Sequence, residues 1–161
     1  MKTIHIVLFG IGNVGSTLIN QINAVKEALK QYKEIELKIP VITNSKLLFT
    51  CENDNGTTWE SDFKKFSVPY KTEDVITYVK EKKFENLIAV DATASVDYVN
   101  NYIPLIENGF HIVSANKIAN TLPYENYQEL RSALKKHQKS FFYETNVGAG
   151  LPVIETIQNL Y

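Results

Sequence analysis

Cysteine is all but missing. Cys51 stands alone among 161 residues, which excludes an intramolecular disulfide and any cysteine-rich zinc module. A surplus of either charge is missing too: 17 Lys+Arg face 18 Asp+Glu, whereas a nucleic-acid binder needs a strong basic excess. The low hydrophobicity and high net charge of a disordered chain are absent, since 44% of the residues are hydrophobic and the net charge is −1. No apolar run approaches the roughly 18 residues of a membrane span. Met1-Lys2-Thr3-Ile4-His5 enters a strand-like pattern at once, with no apolar signal region or small-residue cleavage site. Internal repeats, low-complexity stretches and interdomain linkers are also lacking. What remains is one globular domain, expected to be cytoplasmic and to engage neither nucleic acid nor membrane. A chain of this length buries roughly 68–70% of its unfolded surface, enough for a core without staples.

The pattern that is present alternates strands with helices. Ile4 to Phe9 is an apolar hexamer broken only by His5, suited to a strand covered on both faces. Leu18, Ile22, Val25 and Leu29 then recur at spacings of four, three and four, one face of a helix reaching about Tyr32. Ile35 to Thr43 reads as a second strand, with Pro40 predicting a bend or an edge position. Residues 46–71 have no clean period: Leu47-Leu48-Phe49 reads as a short strand, Asn53-Asp54-Asn55-Gly56 as a turn, and the whole as an elaborated crossover on one sheet edge. Thr72-Glu73-Asp74 opens a helix with Val75, Ile76 and Val79 inward. Leu87–Asp91 is a strand, 96–108 one helix, His111–Val113 a strand, Pro123 the opening of another helix, and Phe141–Tyr143 a strand. Pro152 leads into a last apolar helix running to Tyr161, where a chain of this kind is expected to continue. The fold class predicted is α/β, a Rossmann-type, doubly wound, mostly parallel sheet with helices on both faces.

Gly10-Ile11-Gly12-Asn13-Val14-Gly15 follows the first strand and opens the first helix. In that setting the glycine pattern is a strong signal for a dinucleotide. Gly10 permits the tight turn, Gly12 lets backbone approach a pyrophosphate, and Gly15 lets helix and strand pack closely. Unpaired N–H groups and the positive end of the helix dipole face the phosphates. The acid that holds an adenosine ribose in NAD enzymes is missing, for the second strand ends Thr43-Asn44-Ser45-Lys46. Lys46 and the Ser45 hydroxyl suit a 2′-phosphate instead, which favours NADP over NAD; otherwise Lys46 is an ordinary solvated lysine.

Three further strand ends fall on the carboxyl edge, where open α/β sheets bind ligands. In Asp91-Ala92-Thr93-Ala94-Ser95, Ser95 is either a helix N-cap or, with Thr93, part of the wall beside the nicotinamide. Ser114-Ala115-Asn116-Lys117 places a cation where a carbonyl substrate or carboxamide would lie. Tyr143 to Pro152, with two glycines around Ala149, is either a hinge or a loop whose carbonyls coordinate a cation. His5 reads as a core histidine, His111 as a strand start and His137 as a solvated helix residue, and their spacing suggests no metal site.

These segments together resemble homoserine dehydrogenase, in particular its amino-terminal nucleotide-binding domain in the version also fused behind aspartokinase. The resemblance is carried by the glycine loop, by Thr43 to Lys46, by Asp91 to Ser95, by Ser114-Ala115-Asn116-Lys117-Ile118-Ala119-Asn120 and by Tyr143 to Ile154. It implies reversible, NAD(P)-linked interconversion of L-homoserine and L-aspartate 4-semialdehyde, on the aspartate-derived route to threonine and methionine. By position it implies that Ile11, Asn13 and Val14 contact pyrophosphate and ribose. Lys46 falls near the adenosine ribose or its 2′-phosphate, Thr93 and Ser95 on the nicotinamide side, and Asn44 and Ser114 among the cofactor-binding residues. Lys117 falls beside the nicotinamide ribose and substrate, as a supporting catalytic residue. Glu144, Val147, Ala149 and Leu151 match a monovalent-cation site that usually holds Na+. Ile118 departs from the many members that carry a second lysine there.

The resemblance also implies a parent longer than this chain. Residues 1–161 are expected to be the dinucleotide-binding domain, with 144–161 the start of a connection to a catalytic and dimerisation domain. That domain would supply the main proton donor and make the parent a homo-oligomer. The chain alone is then expected to bind cofactor without turning over a small-molecule substrate. A stand-alone dinucleotide-binding or sensing module without chemistry is the competing reading, and another Rossmann dehydrogenase of small carbonyls the third.

Overall fold

A computed structural model describes residues 1–51, 58–148 and 150–160. The chain opens with β1 (Lys2–Phe9), α1 (Asn13–Lys33) and β2 (Ile35–Thr43). An edge excursion follows: β3 (Leu47–Thr50), α2 (Trp59–Phe66) and β4 (Val68–Pro69). Then come α3 (Thr72–Glu81), β5 (Leu87–Asp91), α4 (Val96–Val99), α5 (Tyr102–Glu107) and β6 (His111–Ser114). The chain ends with α6 (Tyr124–His137), β7 (Phe141–Phe142) and α7 (Val153–Gln158), with 3-10 turns at Ile118–Asn120 and Glu144–Asn146. The predicted turn at 53–56 lies outside the described residues.

The strands form one sheet in the order β4-β3-β2-β1-β5-β6-β7. β2, β1, β5, β6 and β7 run parallel, while β3 and β4 pair antiparallel at one edge. The predicted α/β, mostly parallel architecture is therefore the one found. Side chains of β1 alternate between two cores, as a period of two requires. Ile6 and Leu8 pack with Ile19 and Ile22 of α1 and with Trp59 and Phe63 of α2. Val7 and Phe9 pack with Val75 and Val79 of α3, Leu105 and Ile106 of α5, and Leu130 and Leu134 of α6. Each such aliphatic side chain, fully buried, contributes about 1.5–3 kcal/mol. The single tryptophan pins the edge excursion to α1, its indole Nε1 donating to Asn20 Oδ1 at 3.2 Å.

Local departures have local causes. Pro40 sits within an inner strand, not at an edge. The β1–β2 register shifts between His5 and Val7, opposite it, so the missing N–H falls at a bulge. The helix expected over 96–108 is interrupted at Asn100-Asn101. Pro104 has no N–H to give to the Asn100 carbonyl, and it is accommodated only in the first turn of a new helix. β7 ends at Phe142, leaving Tyr143 outside the strand, and α7 stops at Gln158. His137 is half-buried with its Nε2 inaccessible, in place of the solvated position expected. His5 is a core histidine, stacked on Phe84 at 4.4 Å and bonded through Nδ1 to the Glu85 carbonyl at 2.7 Å. No helix among the described residues is long and apolar enough to cross a membrane.

Candidate functional site

Four parallel strands end level with one another. Phe9 is in register with Thr43 on one side and Asp91 on the other, and Asp91 with Ser114. The turns that follow are stitched by backbone bonds: Gly10 N–H to the Thr43 carbonyl at 2.9 Å, Ala92 N–H to Phe9 at 2.8 Å, and Ala115 N–H to Asp91 at 2.9 Å. The carboxyl edge is thus a row of loops held at fixed spacing.

Within the glycine turn the three glycines do different work. Gly10 has φ +95°, and a Cβ there would meet the Ala92 carbonyl carbon and oxygen at 2.9 Å. A Cβ on Gly15 would stand 1.9 Å from the Gly10 oxygen, so only glycine lets α1 start this close to the turn. Gly12 is the opposite case: a Cβ there meets nothing within 4 Å and points into open space. The N-terminus of α1, a helix of 21 residues, has no side-chain cap and no acid in its first turn. Its leading N–H groups are therefore available to an anion, which the helix dipole favours.

Above this turn lies a cavity of about 880 Å³. Gly10, Ile11 and Gly12 form its floor; Asn44 and Ser45 come from the β2 end, Thr93 and Ser95 from the β5 end, and Tyr70, Lys71 and Thr72 from the segment entering α3. Asn44 Oδ1 accepts from Lys46 N at 2.8 Å and Leu47 N at 2.7 Å, building the β2–β3 turn. Tyr70 donates its hydroxyl to the Asn44 carbonyl at 3.2 Å and ties the α3 entrance to that turn. Burial raises the Tyr70 phenol above its ordinary pKa, against a smaller opposing effect of Thr43. Ser95 is both things expected of it: it lines the cavity and caps α4, Oγ accepting from Tyr98 N at 3.3 Å.

Beneath the β5 and β6 loops is a buried polar network. Asp91 accepts from Thr93 N at 2.8 Å through Oδ1, and through Oδ2 from the Tyr102 hydroxyl at 2.6 Å and Asn116 Nδ2 at 3.1 Å. Burial first, and the Asp91 charge second, push the Tyr98 and Tyr102 phenols far up, so both stay protonated. Ser114, expected among the cofactor-binding residues, is not one of those lining the cavity. It is sealed in the network, its Oγ bonded to the Tyr102 hydroxyl at 2.8 Å and to Asn116.

Other expected residues lie outside that cavity's wall. Asn13 and Val14 are exposed at the start of α1. Lys46 is exposed one residue beyond the lining Ser45, and Lys117 is exposed just before the 3-10 turn. Glu144 spends both carboxylate oxygens on the start of α7, accepting from Ile154 N at 2.8 Å and Glu155 N at 3.1 Å. Val147 and Leu151 are exposed on the same loop, and Ala149 lies outside the described residues. Sequence reasoning missed Lys71 and Asn116. Lys71 precedes α3 and lines the same cavity as Ser45.

A family model described as the NAD-binding domain of homoserine dehydrogenase matches residues 10–144. Over 161 residues the chain is 45% identical to the bifunctional aspartokinase/homoserine dehydrogenase of Buchnera aphidicola, covering 99% of this chain and 20% of that protein. It thus spans about a fifth of the length of the first curated relatives it matches. The fold is shared with the homoserine dehydrogenase of Thermoplasma acidophilum, 22% identical, at a TM-score of 0.77 over 98% of this chain and 48% of that one. A hyperthermophilic archaeal homoserine dehydrogenase solved with NADPH, 24% identical, gives a TM-score of 0.73 over 96% and 48%. With a glycine turn, a row of strand-end loops and a family model spanning most of its length, the chain belongs to the homoserine dehydrogenase family, as its NAD-binding domain.

Proposed function

We propose that this domain holds NADP, and NAD less tightly, for a whole protein that interconverts L-homoserine and L-aspartate 4-semialdehyde by hydride transfer. The observation that carries this is the uncapped start of α1 opening, through Gly12, into the 880 Å³ cavity. The bound dinucleotide supplies or takes up the hydride; the residues here bind and orient it. The pyrophosphate is assigned to the N–H groups of Gly10 to Gly15, with Ile11, Asn13 and Val14 beside it. The adenosine end is assigned to the wall made by Asn44, Ser45, Lys71 and Thr72. That wall has no carboxylate and carries Lys71 and the hydroxyl residues Ser45 and Thr72, a set suited to a 2′-phosphate, with Lys46 next to Ser45 in sequence. Thr93 and Ser95 are assigned to the nicotinamide side. Lys117 is assigned to the substrate side, completed by residues of the whole protein. The oxygen-only donors of Glu144, Val147, Ala149 and Leu151 suit a monovalent hard cation such as Na+. With Glu144 engaged by α7, the backbone carbonyls are its main ligands in this reading.

The whole protein is proposed to be a homo-oligomer, a reading supported by exposed Leu151, Ile157 and Leu160 around α7. A second reading, a binding module without chemistry, is favoured by one observation: Lys117 lies exposed, outside the cavity wall. Calorimetric titration of this chain with NADPH and NADH tests the binding proposal. Saturation by both, tighter for NADPH, is expected, and Lys71→Ala should remove most of the difference, about tenfold or 1.4 kcal/mol. Lys46→Ala should remove less. Absence of saturation with either cofactor sinks the proposal, and an undiminished preference in Lys71→Ala sinks its assignment of the phosphate.

A further inference from the structure

Asn116 is 2% exposed, yet it touches all three loops that follow β5, β6 and β7. Its Nδ2 donates to Asp91 Oδ2 at 3.1 Å and to the Ser95 carbonyl at 3.0 Å, gripping both ends of the β5 loop. Its Oδ1 accepts from Ile118 N at 3.1 Å, which fixes the backbone directly after Lys117. Its carbonyl accepts from Asn146 Nδ2 at 3.2 Å, in the turn that follows β7. Its own N–H goes to Ser114 Oγ at 3.0 Å. Every polar group of the residue is therefore bonded: the amide N–H2 and the backbone carbonyl reach the β5 and β7 loops, while Oδ1 and the backbone N–H brace its own loop.

The chemistry requires an amide here. Donor and acceptor ends of one planar group are rigidly linked, so a shift of the Ser95 carbonyl turns the plane and carries the Ile118 N–H with it. Aspartate would lose both donated bonds and set a second carboxylate against buried Asp91, an unfavourable like-charge pair. Leucine would leave the Ser95 carbonyl, the Ile118 N–H and part of the Asp91 carboxylate without partners, each at a desolvation cost.

We propose that Asn116 is a positioning residue that transmits cofactor binding from the Thr93–Ser95 wall to the backbone of Lys117 and to the Glu144–Asn146 turn. This rests on the proposed binding of a dinucleotide in the cavity. A ligand seated against Thr93 and Ser95 steadies the Ser95 carbonyl; the amide then steadies Ile118 N, and the Asn116 carbonyl steadies Asn146. Lys117 itself is not among the residues lining the cavity, and this relay orders its backbone from the Ser95 side.

The test is amide hydrogen exchange on this chain with and without NADPH, read on peptides covering 91–96, 114–120 and 143–148, beside NADPH affinity from titration. In the native chain NADPH is expected to slow exchange in all three peptides. Asn146→Ala cuts one link only, and is expected to bind NADPH within about twofold of native while protection disappears from 143–148 alone. Asn116→Ala is expected to confine protection to 91–96; should it not fold, Asn146→Ala carries the test. Protection restricted to 91–96 in the native chain, or retained at 143–148 in Asn146→Ala, overturns the proposal. A native chain that NADPH does not saturate overturns the underlying cofactor reading and this one with it, and is told apart by the titration.

Discussion

Gly12 and Gly15 are three residues apart and identical in chemistry, yet their surroundings assign them opposite experiments. Alanine at Gly15 drives a methyl to 1.9 Å from the Gly10 oxygen, an overpacking against backbone that should cost about 3 kcal/mol or more. Alanine at Gly12 meets no protein atom, and the backbone there (φ −68°, ψ −164°) suits any residue. Gly12→Ala should therefore unfold within about 0.5 kcal/mol of native while NADPH affinity falls at least about tenfold. Urea unfolding and cofactor titration of the two variants check this pair; similar stability losses in both would contradict the separation. The sequence showed these glycines because their roles follow from a strand-turn-helix read over fifteen residues. It did not show that Lys71 lines the cavity or that Asn116 ties the loops, since such placements arise between distant segments: Asn116 meets Asp91 from 25 positions away.

At the scale of elements, the β6–β7 join is pH-sensitive. His111 opens β6 and its Nδ1 accepts the Ser140 N–H at 3.1 Å, just ahead of β7. Burial first, then the charges of Lys139 and Lys2, hold its pKa below 6.5. The neutral ring is the one the fold favours, so the unfolded chain binds the proton more readily. The stabilisation is whole above pH 6.5 and is lost as pH falls through the lower folded value. The urea midpoint should thus decline as pH falls below about 6.5, and His111→Asn, which keeps an acceptor but does not titrate, should flatten the slope. Elements with a strong period were legible: β1, α1, α3, β5 and α6 fall where the apolar spacing puts them, although α1 buries Ile19 and Ile22 and leaves Val25 of the expected face exposed. The excursion from β3 to β4 was only outlined, because two short antiparallel strands, one containing Pro69, have no period to read. The break between α4 and α5 was missed because apolar spacing runs on through it, while Pro104 acts through the backbone.

For the molecule as a whole, the sheet divides two cores and the cavity sits on the rim common to both. A ligand there couples to global stability by mass action: NADPH at 100 times its dissociation constant should add about 2.7 kcal/mol, or about 5–10 °C in Tm for a chain of this size. A Tm unmoved by NADPH would refute the site. The described cavity wall carries Lys71 and Asp97 as its only charged side chains. This chain alone is accordingly expected to bind cofactor and to show no homoserine-dependent reduction of NADP+, measured as absorbance against a blank without homoserine; turnover that Lys117→Ala abolishes would reverse that expectation.

The one indole in the chain gives all of these titrations an internal light source. Trp59 is buried and hydrogen-bonded to α1, the same helix whose first turn underlies the proposed pyrophosphate site. Its emission overlaps the absorption band of a reduced nicotinamide and not that of an oxidised one. Bound NADPH should therefore dim the tryptophan by resonance energy transfer, one donor to one acceptor, while NADP+ leaves that channel dark. Redox state and occupancy could then be followed in the native chain without a label.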